Sequence, residues 1–199
     1  MPAEIEFCFD FRSPYSYLAH EALPAVARRH GSMIRYAPFD LIELMRIVGN
    51  RPTTLECRNK GAYAMNDIGR WAKAYDVPFA PNPHWQRIDF SRLGRGVLVA
   101  VDAGRGAAYV TAIFRGVWSE ALDLGDPSQL VGTLAKASFD GAELLRRADS
   151  PEYVARLAEA APAAARRGAF GSPTMFVGDE MFFGNDRLEF LADALRTAA

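Results

Sequence analysis

Asp10-Phe11-Arg12-Ser13-Pro14-Tyr15-Ser16-Tyr17-Leu18 joins an alternating apolar run, Ile5 to Phe11, to a segment with helical spacing. Ser13 is an N-cap candidate, and Pro14 suits the first helical turn, where its missing N–H is not needed. The Ser13 hydroxyl is therefore expected where helix N–H groups and the positive end of the helix dipole favour an anion. Ser13-Pro14-Tyr15-Ser16 also has the spacing of a Cys-x-x-Cys redox motif at a helix start, with both sulfurs replaced by hydroxyls. Disulfide exchange needs thiolates, so these hydroxyls cannot exchange, but one can donate a hydrogen bond to the thiolate of another molecule. From this stretch alone a plain Ser-Pro helix cap is the commoner alternative.

Outward from this stretch the pattern is β-α-β. Tyr17, Leu18, Ala22 and Val26 recur at helical spacing to about His30, Gly31 closes that helix, and 33–39 alternates as a second strand, parallel to the first. From Leu41 to about Arg167 apolar residues fall three and four apart. The expected helices are 41–48, 59–75, 96–120, 127–137, 142–148 and 152–166. One stretch, 77–90, interrupts them with Pro78, Pro81, Pro83, Phe79, Trp85 and Phe90. It is expected either to line a cavity or to cover a satellite core. Strands return at 174–177 and 181–183 around a Gly178-Asp179 turn. Asp186-Arg187-Leu188-Glu189 then fits a capping box for a final helix carrying Leu188, Leu191 and Leu195. The order is thus β-α-β, a helical block, then β-β-α, an α/β chain in which 41–167 is inserted between 1–40 and 168–199.

Composition excludes several function classes. The 199 residues are half apolar, enough for one domain with a sizeable insertion. No apolar run approaches the roughly 20 residues of a spanning helix. Met1-Pro2-Ala3-Glu4 lack the basic and apolar regions of a signal peptide, so a cytoplasmic protein is expected. A formal charge of -1 with the signs interspersed offers no field for nucleic acid or an anionic membrane. Cys8 and Cys57 belong to no Cys-x-x-Cys, and His20, His30 and His84 have no metal-ligand spacing, so no redox motif and no metal are expected.

Three separated stretches resemble the 2-hydroxychromene-2-carboxylate isomerases and their relatives, the kappa-class glutathione transferases. They are Asp10 to Leu18; Asn50 with Lys60-Gly61-x-Tyr63 and Asn66-Asp67; and Phe170-Gly171-Ser172-Pro173-Thr174 followed by Phe183-Gly184-Asn185-Asp186-Arg187-Leu188. The resemblance implies a DsbA-like variant of the thioredoxin-like fold with an all-helical insertion. It implies glutathione as cosubstrate, and an isomerase that adds its thiolate reversibly to a 2-hydroxychromene-2-carboxylate-like aromatic acid. A kappa-like transferase that keeps the adduct, and a non-catalytic binding module, are the alternatives. By the same resemblance Ser13 hydrogen-bonds the glutathione sulfur, and Ser172, before a Pro173 held in cis, pairs its backbone with the cysteinyl unit. Asn185 and Asp186 hold the γ-glutamyl end, Asn50 and Lys60 meet carboxylates, and Tyr15, Trp85 and Asp89 meet the acceptor. For Asp186 a helix-capping role can coexist with this one. A homodimer is also implied. The chain departs from the isomerases where Asn82-Pro83-His84-Trp85 continues Gln86-Arg87-Ile88-Asp89-Phe90 instead of the usual Pro-Ile-Asn-Thr, and where Ser172 replaces the more usual valine.

Overall fold

The computed structural model describes residues 3–197. Strand β1 (Glu4–Phe9) turns Ile5, Phe7 and Phe9 to one face and Cys8 to the other, all of them buried, so it runs through the middle of the sheet. After α1 (Pro14–Arg29) the chain returns as β2 (Met33–Pro38), parallel to β1. The hairpin β3 (Thr174–Val177) and β4 (Glu180–Phe183) adds antiparallel on the other side, giving the order β2-β1-β3-β4. Phe7 thereby sits between Tyr36 and Met175.

Between β2 and β3 lie α2 (Leu41–Val48), α3 (Thr53–Glu56), α4 (Arg58–Tyr75), α5 (Phe90–Asp102), α6 (Gly106–Trp118), α7 (Pro127–Lys136), α8 (Gly141–Ala148) and α9 (Pro151–Arg166). The last helix is α10 (Leu188–Thr197). One hydrophobic core joins this helical segment to the sheet: Phe9, Phe11, Tyr17 and Phe114 meet in it, with Leu23 of α1 and Leu191 of α10. The opposite sheet face buries Cys8 and Phe176 against Phe39, Leu44, Ala161 and Ala164. No described helix is long and apolar enough to cross a membrane.

Four local expectations change. The first strand ends at Phe9, and Phe11 turns into the core 4.7 Å from the Phe114 ring, its carbonyl accepting the Trp118 indole N–H at 2.8 Å. The short helix α3 interrupts the chain before α4. The helix expected over 96–120 is two helices, because the chain reverses at Gly104, whose φ of +69° suits glycine. The reversal folds α6 back on α5, where Gly96 leaves room for Tyr109: a Cβ there would lie 2.0 Å from the tyrosine oxygen. Finally, a 3₁₀ turn, Asn185–Arg187, precedes α10, and the Asp186 carboxylate pairs with Arg187 in place of closing a capping box.

His20 shows how tightly this core is sealed. Its ring lies among Phe7, Tyr36 and Phe114, Nε2 meets Thr111 Oγ1 at 2.8 Å, and Nδ1 has no partner among the described residues. Burial lowers its pKa to about 4, with the nearby Glu21 opposing the shift. The unfolded chain, with a histidine near 6.5, binds the extra proton first. The contribution of neutral His20 is therefore complete above about pH 6.5 and is lost as pH falls from there toward 4. Urea unfolding should show the wild type losing about 2–3 kcal/mol between pH 7 and 4.5 that His20→Gln does not lose. An equal loss in both proteins would contradict this origin.

Candidate active site

Ser13 is the N-cap of α1, with φ −91° and ψ 114°, and its side-chain oxygen accepts the Ser16 N–H at 3.2 Å. Its hydroxyl donates to the carbonyl of Ser172 at 2.9 Å. Ser16 Oγ and Ser172 Oγ share a 2.7 Å hydrogen bond, and the Asp10 N–H donates to the same Ser172 oxygen at 2.9 Å. Both hydroxyls of the motif thus converge on one residue from the far end of the chain. The Ser172–Pro173 bond is cis, as the resemblance implies. The loop is held by Thr174 Oγ1 on the Gly171 carbonyl and by the Gly184 N–H on the Pro173 carbonyl. Both are buried, Ser16 fully and Ser13 at 6% exposed, so what little exposure the pair keeps belongs to Ser13.

Asn185 stands beyond the hairpin, 2% exposed, its carbonyl taking the Tyr75 hydroxyl at 2.8 Å. Its Nδ2 has no partner among the described residues, a buried donor in need of an acceptor. With Asp186, Trp71 and Tyr75 it lines a cavity of about 550 Å³ between α1, α4 and α10. Asn50 is exposed and spans two segments, Nδ2 donating to the Phe170 carbonyl and Oδ1 accepting the Arg51 N–H, both at 2.8 Å. Lys60 is exposed on the first turn of α4. Tyr15 donates to Asp67 at 3.2 Å, and burial together with that carboxylate pushes its hydroxyl up to about 12.

The interrupting stretch is anchored at several points. Tyr17 donates to the Pro78 carbonyl and the Ala80 N–H to the Trp118 carbonyl, each at 2.7 Å, while Asn82 Nδ2 spans the carbonyls of Val117 and Leu122. Buried Asp123 holds Arg87. Trp85, in a 3₁₀ turn, lies 4.5 Å from Phe90 and 5.1 Å from Trp118, which stacks on Phe79. Asp89 is exposed and caps α5, accepting the Arg92 N–H at 2.9 Å. The fold therefore joins Ser13 directly to Ser172, links Asn50 to the loop before them, and leaves Lys60 and Asp89 without contact to that group.

A charged cluster beside Ser13 has no counterpart in the sequence expectations. Asp10, 4% exposed, accepts the Arg12 N–H, the Arg12 guanidinium and the Leu41 N–H. Burial raises its pKa, with Arg12 opposing. Asp40 caps α2 through the N–H groups of Ile42 and Glu43 and takes the Ser91 hydroxyl; burial is outweighed there by these donors and by Arg12, so its carboxyl stays below the usual range. Asp40 is recognisable from sequence as a residue placed just before a helix, but the bridge from Arg12 is a tertiary contact.

These observations define a class: a thioredoxin-like site whose two thiols have become hydroxyls, in a chain whose remaining thiols, Cys8 and Cys57, are free and elsewhere. A family model described as a DSBA-like thioredoxin domain matches residues 4–196. The 2-hydroxychromene-2-carboxylate isomerase of Sphingobium xenophagum is 37% identical over 196 residues, covering 98% of this chain and 99% of that protein. Glutathione S-transferase kappa 1 of Caenorhabditis elegans is 28% identical over 205 residues, covering 96% and 90%. A solved 2-hydroxychromene-2-carboxylate isomerase superposes with a TM-score of 0.89 at 33% identity, covering 98% and 95%. The chain belongs to the DsbA-like thioredoxin family and, within it, to the 2-hydroxychromene-2-carboxylate isomerase group.

The Ser172 hydroxyl accepts the Asp10 N–H and meets Ser16, so Ser172→Ala should lower stability by about 1–3 kcal/mol by leaving these groups unpaired. Ser172→Thr should restore most of it. Urea unfolding of the two variants checks this, and no difference between them would contradict the assigned bonds.

Proposed function

We propose that the protein is a glutathione-dependent isomerase of a 2-hydroxychromene-2-carboxylate-like aromatic acid, working as a cytoplasmic homodimer. The observation that carries the reading is Ser13: a hydroxyl at a helix N-terminus, hydrogen-bonded to the backbone beside the cis Pro173. When bound, glutathione supplies a thiolate that adds reversibly to a conjugated carbon and frees a bond to rotate.

The chain's own residues hold and tune that thiolate. In the free protein the Ser13 proton rests on a neutral carbonyl. Hydrogen bonds to charged groups are worth about 1.5–3 kcal/mol against about 0.5–1.5 for neutral ones, so Ser13 gains by turning to an anionic sulfur. The N–H of Ser16 already occupies one lone pair of Ser13 and keeps the oxygen at the helix end, where the dipole adds to the attraction. Ser13 acts as donor and not as nucleophile, because no histidine or carboxylate base contacts it among the described residues.

The fit of glutathione is supported by the unpaired Nδ2 of Asn185, which needs a carbonyl or carboxylate acceptor. We assign the γ-glutamyl end to Asn185 and Asp186, the carboxylates to Asn50 and Lys60, and the cysteinyl backbone to Ser172 beside Pro173. Tyr15 and Trp85 belong to the acceptor side, with Asp89 contributing through the start of α5 that it caps. The same arrangement serves a transferase if the adduct is kept, and the 28% identity to a kappa-class transferase supports that second outcome.

The test is glutathione-dependent isomerisation of the chromene acid with pH–rate profiles. Ser13→Ala should slow turnover near neutral pH by about tenfold or more, with partial recovery as pH rises and thiolate forms unaided. Ser16→Ala should have a smaller effect. Unchanged profiles in Ser13→Ala would reduce Ser13 to a helix cap and remove the catalytic assignment.

A further inference from the structure

Arg12 lies immediately before Ser13 and closes a ring of contacts on the acceptor side. Its guanidinium carbon is 5.2 Å from the centre of the Phe90 ring; Phe90 meets Trp85, Trp85 meets Trp118, and the Trp118 indole returns to the carbonyl of Phe11. A largely buried aromatic cluster and a cation therefore stand side by side, the cation one residue along the chain from Ser13.

Arg12 belongs to the arginines that bond a carboxylate through one nitrogen, as Arg51, Arg87, Arg187 and Arg196 also do, but it is the one of these that stands next to Ser13. Arg46, Arg92, Arg115, Arg146 and Arg156 each engage one carboxylate through two nitrogens. Arg12 uses Nη1 alone, bonded to Asp10 and 3.5 Å from Asp40. Its Nε and Nη2 donate to no group among the described residues, and neither is sealed from solvent, the side chain being 21% exposed. A guanidinium whose free edge carries parallel N–H groups matches a carboxylate with two hydrogen bonds.

The two aspartates are offset in part by two helix N-termini, each equivalent to about +0.5 of a charge, which leaves the cluster near neutral. Asp10 and Asp40 together satisfy the first three N–H groups of α2, those of Leu41, Ile42 and Glu43, so part of their charge is set against a helix N-terminus. The N-terminus of α1 adds a second positive end beside them. They hold Arg12 by one corner and fix where its open edge lies.

We propose that Arg12 is a specificity-determining residue that binds the carboxylate of the aromatic acid through Nε and Nη2, with Trp85 against the ring. The proposal rests on the isomerase reading for the identity of that acid, but its test needs no turnover. The probes are trans-2-hydroxycinnamate and its methyl ester, with binding followed by tryptophan fluorescence in the wild type, Arg12→Gln and Arg12→Lys. The wild type should bind the acid about tenfold or more tightly than the ester, as one charge-assisted pair requires. Arg12→Gln should lose that preference while its ester affinity changes little, and Arg12→Lys should keep part of it. A wild type with no preference for the acid overturns the proposal, as does equal weakening of acid and ester in Arg12→Gln, which marks a purely structural arginine. Chromene-acid isomerisation, measured separately on the wild type, distinguishes failure of this residue's role from failure of the isomerase reading.

Discussion

A hydrogen bond of 2.9 Å from the Ser13 hydroxyl to the Ser172 carbonyl joins the opening of the first helix to the loop that returns the chain to the sheet. The rest of the architecture sets its two ends. β1 runs through the centre of the sheet and delivers the Asp10–Ser13 turn at its C-terminal edge, while β3 pairs antiparallel to β1 and brings Ser172 to the same edge. The helical segment between them contributes the aromatic groups around Phe11 and shares the core beneath. Because the donor is attached to a helix N-terminus, the bond is made where a negative acceptor is preferred to a neutral one. A carbonyl holds the place in the free protein, and a hydrogen bond from the same hydroxyl to an anion would be the stronger one.

The charges around this bond form a second layer. Two helices, α1 and α2, direct N-termini toward the same region; Asp40 caps α2, and Asp10 divides its bonds between Arg12 and the Leu41 N–H. Buried Asp10 would be costly without partners, and the Leu41 N–H and Arg12 supply them. Beside these carboxylates stand the helix end at Ser13 and an incompletely used guanidinium one residue earlier. A site of this kind suits a cosubstrate with an ionising thiol and an acceptor carrying a carboxylate.

Much of this was legible in the sequence because the signals were local. The motif from Asp10 to Leu18, the alternation around Phe7 and the Gly178 turn each follow from short-range patterns, and all appear in the fold. The break between α5 and α6 was hidden because Val101, Ala103, Ala107 and Ala108 continue the apolar spacing across Gly104 and Gly106. The capping box at Asp186 is absent: a 3₁₀ turn runs over Asn185–Arg187 before α10, and the carboxylate pairs with Arg187. The N-cap position of Ser13 and the cis bond at Pro173 followed from motif and order. The setting of Arg12 did not, since its significance lies in contacts with Asp40 and Phe90, on elements that only the folded chain brings near.

The most direct measurement is a titration of thiolate absorbance on the complex of the wild-type protein with glutathione. Stabilisation of the sulfur anion by Ser13 and the α1 N-terminus predicts a bound-thiol pKa about one to two units below that of the free thiol, which lies near 8.5. A bound thiol that titrates at or above the free value would contradict the account, because the hydroxyl at the head of α1 would then be doing nothing for an anion.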